Sequence, residues 1–147
     1  MNAFAVHAHH NKNFHDAICR LQPDVYYDWK ITSLFYVAIH YLKSLAQHRN
    51  KSIGNFHFEI NSNIREGGQM PLARSARNNY LTLFQYSRTA RYEGIEDIDA
   101  FISTMRKDYE NALQCFKEFE KYMVSSGVRM PQPEKAETTT VPDGASP

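Results

Sequence analysis

Two histidines and two arginines in the middle of the sequence carry side chains suited to acid–base and phosphate chemistry: His40, His57, Arg88 and Arg91. A histidine titrates near neutral pH and can take a proton from a hydroxyl group. An arginine is a permanent cation whose planar group of N–H donors matches a phosphate. If the fold brings one of each type together, the pair can cleave RNA without a metal ion. The histidine would take the 2′-hydroxyl proton while the arginine holds the phosphate.

We therefore predict His57, Arg91 and His40 as catalytic residues, with His57 the preferred base because it is expected to lie nearer to solvent. Its place in the first turn of a predicted helix favours the neutral imidazole, which is the form that accepts a proton. Arg91 follows Ser87 by one helical turn, so both can face one cleft if that helix continues through Ala90. The residues predicted to bind nucleic acid beside them are Ser87, Arg88, Tyr92 and Arg77.

Each candidate also has a purely structural interpretation, which the sequence leaves open. His40 lies in a mostly apolar helix and can be a hydrogen-bonded histidine of the core. Arg88 and Arg91 can pair with neighbouring acids, and Tyr92 can belong to the core or its rim. In that interpretation Arg91 is held by an acidic side chain, and the acids near it in the sequence are Glu93, Glu96 and Asp97. In the site interpretation Arg91 instead binds phosphate or holds a carboxylate such as Asp28.

The segment Asp24–His48 is the predicted central helix, which should position these residues. It combines the only tryptophan, Trp29, with apolar residues around most of its circumference, as expected for a helix contacted on several sides. Asp28 suits the helix start because a carboxylate complements the dipole there, and we assign Asp28 and Trp29 structural roles. The mostly apolar run is too short to cross a bilayer, which predicts no membrane association.

Four further segments have helical periodicity, which predicts an all-α, antiparallel helical bundle of four main helices plus one short helix. The first main helix should start at Asn13 and end at Pro23. The short helix should follow a cap at Asn55, and the next should follow a cap at Ser75. The last and clearest should run from Asp97 to a stop at Gly127. The residues of these helices that should face inward include Phe14, Ile18, Leu21, Phe56, Ile60, Ile64, Met105, Ala112, Phe116, Phe119 and Met123.

The chain of 147 residues, 42% hydrophobic and 13% aromatic, is enough for one domain with a sizeable core. We place the bundle at residues 1–128, with 1–10 as a flexible entry, and a disordered tail rich in Pro, Thr, Ser and Glu at residues 129–147. The histidine-rich entry lacks the Cys, Asp or Glu that would complete a metal site, so we predict no metal and no cofactor. The two cysteines lack CxxC spacing and are expected to be buried, reduced thiols. Without a secretory signal at the N-terminus, we expect a cytoplasmic protein.

Charge is unevenly distributed although the net charge is only +1. Residues 49–91 contain seven Lys and Arg against two Glu, while residues 92–123 contain four against eight acids. The two regions can pair with each other across the fold, or the basic middle can form a groove for phosphates.

Three segments in the order YDWKITSLFYVAIHYLKSLA, NFHFEINSNI and NNYLTLFQYSRTARYEG resemble HEPN-domain proteins of bacteria and phage-defence loci. The resemblance covers about residues 24–94. The matching positions are Asp28-Trp29, Phe35-Tyr36 with His40, His57, Ser87-Arg88 and Ala90-Arg91-Tyr92. The resemblance implies an antiparallel helical bundle, often dimeric, associated with RNA cleavage, nucleotide binding, or toxin and defence systems.

The chain departs from the family pattern at one point. Active HEPN ribonucleases carry an arginine followed by a histidine after four to six residues, whereas the nearest pair here, Arg49 and His57, has seven residues between them. Two functions therefore stay open: an RNA-acting protein, either a ribonuclease or an RNA-binding relative, and a non-catalytic helical interaction or regulatory module. The expected partners are RNA, a second copy of the chain, and an antitoxin or nucleotidyltransferase-like protein. The homodimer surface would be the Ile98–Met123 stripe or the face containing Tyr36 and His40.

Overall fold

A computed structural model of the chain describes residues 2–129, and these form five α-helices with no strand among them. The helices are α1 (Ala3–Leu21), α2 (Tyr27–His48), α3 (His57–Asn63), α4 (Arg74–Tyr92) and α5 (Ile98–Ser125). This confirms the predicted all-α bundle of four main helices and one short helix. The predicted disordered tail lies, apart from Arg129, outside the described residues.

Helix α2 is the central element, as predicted. It packs against α1, α4 and α5, and most of its residues are buried, from Tyr27 to Ala46. Its first residues lie near the end of α1, where the Lys30 ammonium donates to the Gln22 carbonyl at 2.7 Å. Its last turns lie near the start of α1, where the Asn2 side chain donates to the Ser44 carbonyl. Helices α1 and α2 are therefore antiparallel.

The other main helices continue the up-and-down arrangement. In α4, Tyr80 and Phe84 pack on Phe35 of α2, with ring centroids 5.9 and 5.6 Å apart. Helix α5 is antiparallel to α4, since the Ala73 N–H donates to the Tyr122 hydroxyl, but it runs in the same direction as α2. Near the start of α2 the Tyr27 hydroxyl accepts from Arg106, and further along α2 the Tyr41 hydroxyl donates to Glu120. The buried α5 residues are Met105, Ala112, Phe116, Phe119 and Met123, which confirms that its apolar stripe packs inside the bundle. Ile98, at the start of the predicted stripe, is 55% exposed and is not part of this buried set.

The N-terminal region is the main correction to the sequence prediction. Residues 1–10 were expected to be a flexible entry, but α1 begins at Ala3, and the Asn2 side chain caps it by accepting from the Ala5 N–H. Ala5 and Ala8 are buried, while Phe14 is 48% exposed and so does not face the core. Small alanines allow close helix packing but give no strong apolar period, so the pattern failed to reveal these turns.

The sequence predicted the start of α5 correctly but not the caps of α3 and α4. Asp97 caps α5 as predicted, its carboxylate accepting from two backbone N–H groups, and Gly127 follows the helix end with a φ of +102°. The predicted caps Asn55 and Ser75 are wrong, since α3 and α4 start without any side-chain cap. Packing of the inward faces, not capping, therefore defines these two starts. Within residues 2–129, no helix combines the length and apolar composition needed to span a bilayer.

The basic middle and the acidic α5 do not pair with each other across the fold. The ion pairs among the described residues are Lys12–Asp16, His15–Asp16 and Lys121–Glu118, each within one helix. The arginines of α4 form no ion pair with a carboxylate in this part of the chain.

Candidate functional site

His57 is the first residue of α3 and is wedged against the place where α2 and α4 meet. Its ring centroid lies 5.6 Å from that of Phe35 in α2 and 5.4 Å from that of Phe84 in α4. Two buried residues, Ile60 and Ile64, anchor this short helix to the core. His57 is therefore positioned by packing on two other helices as well as by its own.

Arg91 lies in the last turn of α4 and faces the same rings. Its guanidinium carbon is 5.3 Å from the centroid of Phe35, 5.8 Å from that of Tyr36 and 5.3 Å from that of Tyr92. These are cation–π distances, and cations are also favoured at the end of a helix. Arg91 and His57 thus share one aromatic neighbour, Phe35.

Among the described residues Arg91 forms no ion pair with a carboxylate. Asp28 lies nearby in α2 but forms no ion pair with it. The Nε and Nη1 atoms of Arg91 are buried and have no hydrogen-bond partner there. Both nitrogens lie beneath the aromatic rings that surround the guanidinium.

The His57 imidazole is poised to be neutral. Burial lowers its pKa below the ordinary histidine value, and the positive charges of Arg91, Lys43 and Arg88 lower it further. Its Nδ1 is buried without a hydrogen-bond partner in the described structure. A neutral imidazole beside a fixed cation is a proton acceptor next to an anion-binding group.

A pocket of about 540 Å³, which we call the α3–α4 pocket, is open beside these two residues. Two arginines line it and no carboxylate does. The residues of its lining are Phe56, His57, Phe58, Asn61, Phe84, Arg88, Arg91 and Tyr92. An anion entering this pocket meets two guanidinium groups and no opposing negative charge.

A second pocket of about 480 Å³, the α2–α4 pocket, lies on the other side of Arg91 and Tyr92. Asp28 and Trp29, predicted as structural, both line it, and Trp29 is 57% exposed. The remaining lining residues are Thr32, Tyr36, Ala90, Glu93, Ile95 and Phe101. This pocket contains two carboxylates, so it suits an anion less well than the α3–α4 pocket does.

Three predicted site residues do not line the α3–α4 pocket. Ser87 is fully buried and its hydroxyl donates to the Phe84 carbonyl at 2.8 Å, which makes it structural. Arg77 lies near the other end of α4 and lines neither pocket. His40 bonds through Nδ1 to the Tyr36 carbonyl and its ring contacts that of His7, with centroids 3.9 Å apart. The extended α1 thus covers His40 from the side, and burial lowers its pKa.

The structure adds residues that were not predicted for the site. Phe56, expected to face inward, is 64% exposed, and Phe58 is 73% exposed, with the two rings nearly parallel at 7°. Asn61, one turn after His57, has a buried side-chain oxygen without a hydrogen-bond partner in the described structure. The run Phe-His-Phe in the sequence was the available signal, because aromatic residues on both sides of a histidine cannot all face the core of one short helix.

The histidines of α1 form no metal centre in the part of the chain described. Within residues 2–129 no three His, Cys, Asp or Glu side chains come close enough to hold a metal ion. His15 is instead buried, within hydrogen-bond distance of Asp16 and Tyr109. The cysteines, expected to be buried, are free thiols of intermediate exposure.

No family model, no curated protein and no solved structure matches this chain.

Proposed function

We propose that this protein is a HEPN-like, RNA-acting protein that binds RNA in the α3–α4 pocket and cleaves it without a metal ion. The observation that carries the proposal is that His57 and Arg91 line one open pocket with no carboxylate in its lining. Burial and nearby cations lower the pKa of His57, and Arg91 forms no ion pair among the described residues. The base and the cation come from two helices of one chain, which differs from the single arginine-to-histidine motif of the family. Support therefore comes from the geometry and not from that motif.

In the proposed reaction the His57 imidazole takes the proton of a ribose 2′-hydroxyl. The 2′-oxygen then forms a bond to the adjacent phosphorus, and the bond from phosphorus to the 5′-oxygen breaks. The departing 5′-oxygen takes a proton from water, leaving a 2′,3′-cyclic phosphate. Arg91, together with Arg88 at the pocket edge, would stabilise the negative charge that builds on the non-bridging oxygens.

RNA binding is tested with Arg91→Ala against Arg77→Ala. Both variants remove one positive charge from α4, but only Arg91 lines the pocket. We expect wild-type protein to bind a fluorescently labelled RNA at low salt, with affinity falling as salt rises. Arg91→Ala should weaken binding at least tenfold, while Arg77→Ala should change it little. Equal losses from both variants would show general charge attraction and contradict the site, and a wild type without affinity would contradict the function.

Cleavage is tested with His57→Gln against His10→Gln, an exposed histidine of α1. Labelled RNA is incubated with each protein in the presence of EDTA, and the products are analysed for a 2′,3′-cyclic phosphate end. We expect the wild type and the His10→Gln control to cleave the RNA at similar rates. The cleavage rate of His57→Gln should be at least about a hundredfold lower, because a positioned acid or base usually contributes that much. If the wild-type protein leaves the RNA uncleaved, the cleavage reaction is contradicted and only RNA binding is retained.

A second candidate, a non-catalytic interaction module, is favoured by exposed apolar side chains around the α2–α4 pocket. Trp29, Ile95 and Ile98 are each more than half exposed, and an exposed apolar patch is a feature of protein interaction sites. The partners we propose are a second copy of the chain and an antitoxin or nucleotidyltransferase-like protein, in the cytoplasm. Sedimentation over a range of concentrations tests the homodimer: wild type should associate and Trp29→Ser should not. A monomer at all concentrations would exclude the homodimer.

A further inference from the structure

We propose that Cys19 is a reactive thiol whose proton is taken by His15, and that it forms a reversible mixed disulfide with low-molecular-weight disulfides. The site is a group of polar side chains between two helices, which we call the Cys19 cluster. It consists of His15, Asp16 and Cys19 of α1 and Tyr109 of α5. The cluster shares no residue with the α3–α4 pocket or the α2–α4 pocket, so its reactivity is independent of the RNA function proposed above.

The Cys19 cluster places a thiol, a base and an acid in series. The Cys19 Sγ lies 3.5 Å from the Nε2 atom of His15, within hydrogen-bond reach for sulfur. The other ring nitrogen of His15, Nδ1, lies 2.9 Å from the Asp16 carboxylate. When Nδ1 carries the hydrogen and donates it to this carboxylate, Nε2 is the proton acceptor that faces the thiol. A nucleophile beside a base that a third group orients is the arrangement of an activated nucleophile.

The acid and the base have the protonation states that this arrangement needs. Burial would raise the pKa of Asp16, but hydrogen bonds from Lys12 and His15 lower it overall below its ordinary value, so the carboxylate is charged near neutral pH. Burial lowers the pKa of His15, and the positive charges of Lys12 and Lys30 lower it further, against the effect of Asp16. His15 is therefore a neutral imidazole at rest, which is the form that accepts a proton.

Tyr109 adds a hydroxyl group from α5 to the path of the proton. The hydroxyl oxygen lies 2.9 Å from His15 Nε2 and 3.4 Å from the Cys19 Sγ. It can take the thiol hydrogen while giving its own to Nε2, and it then donates to the thiolate. A hydrogen bond to a charged sulfur stabilises that sulfur. Loss of this one hydroxyl should therefore slow the reaction of Cys19.

Cys115 of α5 is a natural comparison for Cys19. Both residues are free thiols of intermediate exposure, so a small reagent can approach either. Burial raises the pKa of the Cys115 thiol, opposed by a hydrogen bond to its own backbone. The thiolate is the form that attacks, so a thiol with a base beside it should react faster than one kept protonated by burial.

The reaction is an exchange between a thiol and a disulfide. The proton of Cys19 passes to His15, and the thiolate sulfur forms a bond to one sulfur of the disulfide as the bond between its two sulfurs breaks. The departing thiolate takes the proton back from His15 and leaves as a thiol. Cys19 is oxidised to a mixed disulfide, and half of the disulfide reagent is reduced. Exchange needs access to one sulfur and no binding cavity, which suits a partly exposed thiol that lines neither pocket.

The test uses oxidised glutathione and two single-thiol variants, with the rate of mass increase followed by intact-protein mass spectrometry. Cys115→Ser retains Cys19, and Cys19→Ser retains Cys115. We expect Cys115→Ser to be modified at least about tenfold faster than Cys19→Ser. Adding His15→Gln to Cys115→Ser should lower the rate at least about tenfold, and Tyr109→Phe should also lower it. Tyr86→Phe, at a partly buried tyrosine of α4, is the matched control and should leave the rate unchanged.

Several outcomes would overturn the proposal. These are equal rates for the two single-thiol variants, no modification of either, or a rate that stays the same or rises with His15→Gln. An added mass that a thiol reductant does not remove would also overturn it, because a mixed disulfide is reversible. If circular dichroism shows that His15→Gln is unfolded, Tyr109→Phe decides, since it keeps the ring and removes only the hydroxyl. A rate for Tyr109→Phe equal to that for Tyr86→Phe would then overturn the proposal.

Discussion

Removal of Lys30 from α2 and of Arg91 from α4 should have different effects on stability, which distinguishes a structural contact from a binding residue. The Lys30 side chain is 1% exposed, and its ammonium donates to the carbonyls of Gln22 and Pro23, just after α1 ends. Arg91 has no such partners among the described residues, and two of its nitrogens are buried without a hydrogen bond. We compare Lys30→Ala with Arg91→Ala.

The magnitudes follow from these contacts. Lys30→Ala removes two hydrogen bonds from a charged donor, each worth about 1.5–3 kcal/mol, so the free energy of unfolding should fall by about 3 kcal/mol or more. Arg91→Ala removes ring contacts worth about 0.5–1 kcal/mol each, but it also removes two unsatisfied N–H groups that cost about 1–3 kcal/mol each. The three ring contacts sum to about 1.5–3 kcal/mol and the relieved cost of the two N–H groups to about 2–6 kcal/mol. Arg91→Ala should therefore lower the free energy of unfolding by no more than about 1 kcal/mol.

The assay is thermal and urea unfolding followed by far-UV circular dichroism. At about 2–4 °C per kcal/mol for a protein of this size, Lys30→Ala should lower the Tm by about 6–12 °C and Arg91→Ala by no more than about 4 °C. A loss for Arg91→Ala as large as that for Lys30→Ala would show that Arg91 is a structural contact and would refute the site. A loss confined to RNA affinity would support it.

Three further predictions concern stability. Tyr80→Phe removes a buried hydroxyl without a partner among the described residues, so the free energy of unfolding should stay equal or rise by about 1 kcal/mol in urea; a clear loss would reveal a hidden bond. Asp97→Ala removes the α5 cap and should cost about 1 kcal/mol in the same assay, and no change would mean that the cap is dispensable. The folded-state pKa values of His15, His40 and His57 are lowered from 6.5, chiefly by burial, so the unfolded chain binds more protons. Stability should therefore be full above pH 6.5 and fall as the pH drops below it; urea midpoints that rise on acidification to pH 5.5 would contradict this.

The sequence predicts well what large apolar residues at regular spacing determine. The cap and the stop of helix α5 were predicted correctly because apolar and aromatic residues, most of them bulky, recur every three or four positions from Met105 to Met123. The N-terminal half of helix α1 was not predicted because the residues that it buries there are alanines. An alanine stabilises the helix packing through the close approach of α2 and not through its own hydrophobicity. The first turns of α1 are also what cover His40, so the error in α1 led directly to the error at His40.

Side-chain length explains why Ser87 and Arg91, both predicted for the site, end in different surroundings. Ser87 and Arg91 are one helical turn apart and were predicted to share a cleft. The short Ser87 side chain ends in the core, bonded to its own helix, whereas the long Arg91 side chain extends past the core to the pocket. Spacing alone gives the direction of a side chain, but whether its polar end reaches an open surface depends on the depth at which the helix is buried.

The pairing of His57 with Arg91 shows why no linear motif reveals this site. The two residues are separated by the whole of α3, a loop and most of α4, and they meet because Ile60 and Ile64 hold α3 against the core. In a motif carried on one helix, the spacing of base and cation is set by the backbone. Here it is set by the packing of a seven-residue helix that has no side-chain cap. Such a helix depends on its tertiary contacts for its stability, so the position of the proposed base depends on the core beneath it.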